Sequence, residues 1–316
     1  MGTRRETRGT TGGRLPEFLA VGPQRTATTW LYERLLPHVV LPKGVKETMF
    51  FDRHFSKGLK GLAWYESHFR HGRSDQPVGE IAPTYFHSAE AREHIARTIP
   101  HCKIVCTLRD PVSRLYSLYR FMRQYGFTRA SFERALEDFP FMMGSSRYAH
   151  HVSEWQRLFP RTTVVLYEDL REDPQGYLGA VCRFLEIRPI PLPPELAGWR
   201  EEATPARFYH LARVGQRTAD FLRSARLYRV VNMAKKTGLR RFVFGGGPPL
   251  PPMDPARAAE LRRLLSPEIT RLEAMMTATS APGRRDPGGS RLRKSPPRDR
   301  AGKMVRTGTR LPASPA

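Results

Sequence analysis

This sequence predicts an α/β fold built on a parallel sheet, and three observations carry the prediction. Short apolar, β-branched runs recur at Glu17–Val21, Pro77–Ile81, Cys102–Leu108 and Thr162–Tyr167. Each leads into a stretch with helical spacing, and together these follow one another along the chain. The first run also feeds a glycine-started loop, GPQRTATT, that turns straight into a helix. Strands alternating with helices imply right-handed crossovers, so the sheet is parallel and covered by helices on both faces. With a glycine loop after its first strand, the sheet is P-loop-like.

The elements follow in order. Thr28–Leu36 is a helix stopped by Pro37, and His38–Leu41 is a short extended piece leading to Lys43, Gly44 and the segment Val45–Asp52. Leu59–Arg70 reads as a helix that buries Trp64, Tyr65 and Phe69, and Ala89–Thr98 as another. Asp110 caps a helix reaching about Gln124, with Pro111 at its first position. Ser131–Asp138, Tyr148–Phe159 and Gln175–Leu185 are helical, the last opened by Asp173 and Pro174. Leu222–Lys236 reads as a basic helix and Gly245–Pro252 as a loop. Asp254–Met276 is mostly helical, with Leu261, Leu264, Leu265, Ile269 and Leu272 at helical spacing, and Pro267 is expected to kink or split it. Ligands in such sheets lie beyond the strands' C-terminal ends. The loop at Gly22 and the segments after Leu41 and Leu108 therefore share one crevice.

Charge is uneven along the 316 residues. The net value is +23, of which residues 1–14 carry +3 and residues 281–316 carry +8. Both ends are rich in Gly, Pro, Ser and Thr and are expected to be solvated tails around one domain, residues 15–280. That body keeps +12, which suits a polyanionic ligand. No run approaches the roughly 18–20 apolar residues that span a bilayer, and no apolar stretch follows the N-terminal arginines as in a secretory signal. Cys102, Cys106 and Cys182 suggest a reduced compartment, the cytoplasm. Cys102 and Cys106 share one strand face as small core residues. His68, His71, His150 and His151 lack partners at metal spacing, so they are expected at the surface, and no metal site is expected.

The chemistry starts in the loop. Backbone N–H groups in a helix's first turn have no internal partner and attract an anion, hydroxyls add donors, and a cation neutralises charge. Arg25 supplies that cation, Thr26, Thr28 and Thr29 the hydroxyls, and Ala27 lies between them. A Walker loop sets lysine directly before its magnesium-binding hydroxyl. Here Thr28 stands at that lysine's place. A second group is Arg109 at a strand end, with Ser117 eight residues later on the following helix. An arginine so placed can fork two N–H bonds onto a phosphate. A third is VKETMFFD, Val45–Asp52, with Lys46 and Glu47.

These segments resemble the sulfotransferases that use 3′-phosphoadenosine 5′-phosphosulfate (PAPS). The loop resembles their GxxKTGTT, and VKETMFFD resembles the KExHFFD of the heparan-sulfate-type branch, which has many bacterial relatives. GEIAPTYF at Gly79–Phe86 is similar to GExxPxYF, and Tyr148–Pro174 resembles that branch's run ending in EDLxxDP. Pro252–Met276 resembles the helix that closes the cofactor site. The likeness covers roughly residues 16–278 and implies a single sulfotransferase domain acting without a metal. It implies that Glu47 is the catalytic base, with Lys46 and Arg25 near the transferring group. Thr26, Ala27, Thr28 and Thr29 would hold the 5′ end of PAPS, and Arg109 and Ser117 its 3′-phosphate. The acceptor implied is a hydroxyl or amine, on an acidic glycan. Two residues depart from the pattern: Arg25 replaces a lysine, and Ala27 replaces a glycine, which is tolerable only if the residue avoids positive φ. The basic KGR-type loop of the animal enzymes has no clear counterpart, although Gly245–Gly247 could offer backbone donors. The residues also leave open a small-molecule P-loop kinase, a basic nucleic-acid-binding protein, and an inactive relative that binds cofactor.

Overall fold

Four apolar runs pair into one sheet: β1 (Phe18–Val21), β2 (Gly79–Ile81), β3 (Lys103–Leu108) and β4 (Thr162–Leu166). The structure is a computed structural model, and it describes residues 13–55, 58, 60–193, 218 and 250–279. The strand order is β2-β1-β3-β4. Every pairing is parallel, with Leu19 opposite both Glu80 and Ile104, and Cys106 opposite Val164. The chain runs from β1 outward to β2 and then returns past β1 to β3. Strand order therefore reverses between β1 and β3, which is where a crevice opens in such sheets.

Helices cover both faces, as the alternation of elements requires. Leu19, Val21, Ile104, Cys106 and Leu108 join the first core, with α3 (Ala89–Thr98), α4 (Pro111–Gln124), α7 (Tyr148–Leu158) and α10 (Pro255–Thr279). Phe18, Ala20, Val105 and Val165 join the second, beneath α1 (Thr28–Leu35) and α9 (Pro174–Leu185). Period-two alternation is what divides one strand's side chains between two cores. Cys102 and Cys106 lie buried in the first core, and all three cysteines are free thiols. Among the described residues no helix is long and apolar enough to cross a membrane.

Smaller elements complete the chain: a π-helical turn at Phe50–His54, α2 (Leu62–Glu66), a 3₁₀ turn at Pro83–His87, α5 (Phe132–Asp138), α6 (Phe141–Gly144) and α8 (Tyr167–Glu172). Three expectations need correction. The helix expected over Leu59–Arg70 is only α2, because His68 and Phe69 donate to Tyr65 and Glu66, tightening the chain into i→i−3 turns. Of the kink or split expected at Pro267, the split does not occur, since α10 runs as one helix through it. Leu261, Leu265, Ile269 and Leu272 bury on both sides of the proline, so packing offsets the missing N–H bond. His68 and His151 are buried, unlike His71 and His150, which are exposed. The His151 Nε2 lies 3.0 Å from the Gly144 carbonyl, and burial lowers its pKa to about 4. The basic helix at 222–236 and the glycines at 245–247 lie outside the described residues.

Candidate active site

The loop between β1 and α1 is fastened to β3. A Cβ on Gly22 would stand 2.2 Å from the Thr107 carbonyl oxygen, so only glycine fits this approach of two strands. The Thr26 hydroxyl donates to the Pro23 carbonyl at 2.9 Å and shares a hydrogen bond with the Thr107 hydroxyl at 2.8 Å. Arg25 and Ala27 both take the left-handed region, with φ of 78° and 64°. Ala27 thus does not meet the condition, avoidance of positive φ, under which alanine would replace glycine without strain. The turn into α1 needs that conformation whatever residue stands there, and alanine bears a cost of about 1 kcal/mol. Ala27 offers α1 no side-chain cap, so the first-turn amides keep their capacity for an anion.

The segment after Leu41 comes up to the same helix start. The Lys46 ammonium donates to the Thr28 hydroxyl at 3.2 Å, the Thr29 hydroxyl at 3.4 Å and the Glu47 carboxylate at 3.1 Å. Lys46 and Glu47 are both partly buried. One cation thus joins the candidate base to the hydroxyls of the loop.

The strand end of β3 meets the loop from the other side. Arg25 Nε donates to Ser117 Oγ at 3.1 Å, and its guanidinium stands 5.4 Å from the centre of the Phe121 ring. Arg109 donates to the Arg25 carbonyl at 3.4 Å and stacks 4.4 Å over Tyr167. The side chain of Arg25 is therefore turned toward Ser117, while Lys46 holds the hydroxyls of Thr28 and Thr29. Arg25, Ala27, Arg109 and Ser117 share one cavity of about 530 Å³. Asp110 does not pair with its neighbour Arg109. It caps α4 through the Ser113 N–H at 2.8 Å and lies 3.0 Å from Arg262 of α10. The C-terminal helix is thereby tied to the strand end that carries Arg109.

Sequence reasoning passed over several residues here. Glu80 of β2 is fully buried and accepts from the Thr48 N–H at 2.6 Å, the Thr48 hydroxyl at 2.7 Å and the Tyr65 hydroxyl at 2.8 Å. Burial raises its pKa to about 7 against the pull of these donors. A glutamate within an apolar strand was the available signal. Tyr116 and Arg120 also line the cavity, and the Tyr116 hydroxyl donates to the Pro251 carbonyl. Both lie on the helical face of Ser117, three residues or fewer away.

A second recess of about 360 Å³ opens at Gln24 and includes Asp52, Arg53 and His87. Burial raises the Asp52 carboxyl, partly offset by the Thr84 hydroxyl, and burial lowers the His87 imidazole. Asp52 Oδ1 and His87 Nδ1 are buried without a hydrogen-bond partner among the described residues. The loop thus separates a cationic cavity from a recess of mixed polarity.

A parallel sheet whose first loop and third strand end frame a cationic cavity at the switch point defines an α/β protein with its crevice where such sheets bind ligands. Residues 15–196 match the sulfotransferase domain family, more than half of the chain, and the protein belongs to that family. It is 32% identical over 200 residues to the human bifunctional heparan sulfate N-deacetylase/N-sulfotransferase 3, covering 56% of this chain and 23% of that protein. It is 31% identical over 187 residues to human heparan sulfate glucosamine 3-O-sulfotransferase 6, covering 56% of this chain and 54% of that protein. The matched region thus spans only part of each relative's length. In fold it resembles a sulfotransferase from Alicyclobacillus acidocaldarius, with a TM-score of 0.59 and 20% identity, over 84% of this chain and 96% of that one.

Proposed function

We propose that this protein transfers a sulfuryl group from PAPS to a hydroxyl or amine of a glycan. The observation that carries the reading is the Lys46 bridge, which joins Glu47 to the hydroxyls of Thr28 and Thr29. It brings a candidate base within one side chain of an uncapped helix start. The donor set suits the nucleotide: guanidinium groups and serine hydroxyls line the cavity, and the Lys46 ammonium meets the hydroxyls of Thr28 and Thr29 at the start of α1. PAPS supplies, when bound, an activated sulfuryl group on a phosphate leaving group.

The residues then divide the work. Thr28, Thr29, Lys46 and the first-turn amides of α1 stabilise charge that grows on the leaving oxygen, a fixed donor set that needs no reorganisation. Arg109 and Ser117 take the 3′-phosphate, with the Arg25 side chain turned to the same cavity and not to the 5′ end. Thr26, fully buried, fastens the loop to β3 instead of touching the ligand. Glu47 accepts the proton of the attacking hydroxyl or amine. The acceptor enters through the recess at Gln24 and Asp52, the second opening beside the loop. A glycan acceptor is supported by the names of the heparan sulfate relatives, and an acidic one by the body's net charge of +12. Three free cysteines support a reducing location such as the cytoplasm.

The test is transfer of labelled sulfate from PAPS to a glycan panel by the wild type, Glu47→Gln and Arg25→Ala. Turnover by the wild type and a loss of at least about a hundredfold in Glu47→Gln are expected. Wild-type rates in both variants, or turnover of ATP with magnesium in place of PAPS, would overturn the assignment.

A further inference from the structure

We propose that Arg120 is a phosphate ligand, sharing with Arg109 and Ser117 the 3′-phosphate of the bound nucleotide. The proposal rests on the PAPS reading above and deepens it by naming a binding residue outside the recognised motifs. Its basis is a stripe on α4. Ser113, Ser117 and Arg120 follow one another at the i, i+4 and i+7 spacing, and all three line the cavity that holds Arg109. No acidic residue is among the described residues lining that cavity.

The charge requirement points the same way. A phosphate monoester carries close to two negative charges at neutral pH. The cavity holds the guanidinium groups of Arg25, Arg109 and Arg120. A dianion in a half-enclosed cavity, where desolvation makes an unpaired charge costly, draws on more than one of them. Arg109 is held over Tyr167, and Arg25 is bonded to Ser117. Arg120 brings another planar fork to the wall formed by α4, one turn beyond Ser117. The Tyr116 hydroxyl, on the same helix, donates to the Pro251 carbonyl, and both residues line this cavity.

Isothermal titration with adenosine 3′,5′-bisphosphate (PAP) and adenosine 5′-phosphate (AMP) isolates the 3′-phosphate without reference to turnover. The full chain, Arg120→Gln and Arg120→Lys are compared, with the melting temperature of each unliganded protein as the control for folding. The wild type is expected to prefer PAP. Arg120→Gln should lose about ten- to a hundredfold in PAP affinity and less than about twofold for AMP, with Arg120→Lys in between. A wild-type PAP-to-AMP ratio in Arg120→Gln overturns the proposal and leaves the cofactor reading standing, whether both affinities are unchanged or fall together. If Arg120→Gln does not fold, an unchanged ratio in Arg120→Lys overturns it equally. A wild-type chain that does not prefer PAP removes the cofactor reading, and this proposal with it.

Discussion

Glu80 accepts both the backbone N–H and the hydroxyl of Thr48, at 2.6 and 2.7 Å, so the residue after Glu47 is bound to the sheet by its main chain and its side chain together. Tyr65 adds a third bond at 2.8 Å. Burial raises the Glu80 pKa from 4.5 to about 7, so the folded state holds this proton where the unfolded chain releases it. Stability from this group is full below the unfolded value and falls as pH rises toward 7. Glutamine keeps an acceptor for Thr48 and has no proton to lose. Urea denaturation at pH 5 and pH 8 should show Glu80→Gln gaining on the wild type as pH rises, by up to about 3 kcal/mol. A stability difference that does not change with pH would refute this.

Ala27 occupies a left-handed position that glycine adopts without strain. Replacing it with glycine relieves about 1–2 kcal/mol of backbone strain and adds about 0.4–1 kcal/mol of unfolded-state entropy cost. Ala27→Gly should therefore stabilise the protein by about 0.5–1 kcal/mol in chemical denaturation. A destabilised variant would show that the loop does not hold this conformation in solution.

Gly22→Ala has the opposite sign. The new methyl would press on the carbonyl of Thr107, a backbone atom within the central strand that cannot step aside. A loss of several kcal/mol, or failure to fold, is the expected result. Near-wild-type melting would mean that β1 and β3 stand further apart than described.

Lys46→Met removes the ammonium that joins Glu47 to Thr28 and Thr29 while keeping the length of the side chain. Under the proposed mechanism kcat should fall about a hundredfold, as for the loss of one transition-state donor. PAP affinity by calorimetry should change far less, since the 3′-phosphate ligands remain. Equal losses in kcat and affinity would make Lys46 a ground-state binding residue.

The sheet was legible because its strands are continuous apolar runs and because Gly22 marks the first turn. The alternation of strands and helices put the segments after Val21, Leu41 and Leu108 at one end of the sheet. The structure brings Arg25, Arg109 and Ser117 to one cavity, with Lys46 and Glu47 joined to Thr28 and Thr29 beside it and not lining it. What stayed hidden depends on neighbours distant in sequence. Glu80 has meaning only once Thr48 and Tyr65 fold against it. The burial of His68 and His151 follows from packing, which residue type and spacing do not report. The continuity of α10 through Pro267 is decided by the helices beneath it, α4 and α7, and not by the proline. The conformation of Ala27 was not legible because propensity describes the residue, whereas the turn sets the φ.

The ion pair between Asp110 and Arg262 joins residues 152 positions apart in the chain. It has a consequence for biosynthesis. Under the proposed function, a nascent chain that has already emitted the loop at Arg25 and the strand end at Arg109 still lacks the helix that braces the second of them. Capture of nucleotide should then begin only after the stretch around residue 262 has left the ribosome, so nucleotide affinity is a property of the late chain and not of its first half.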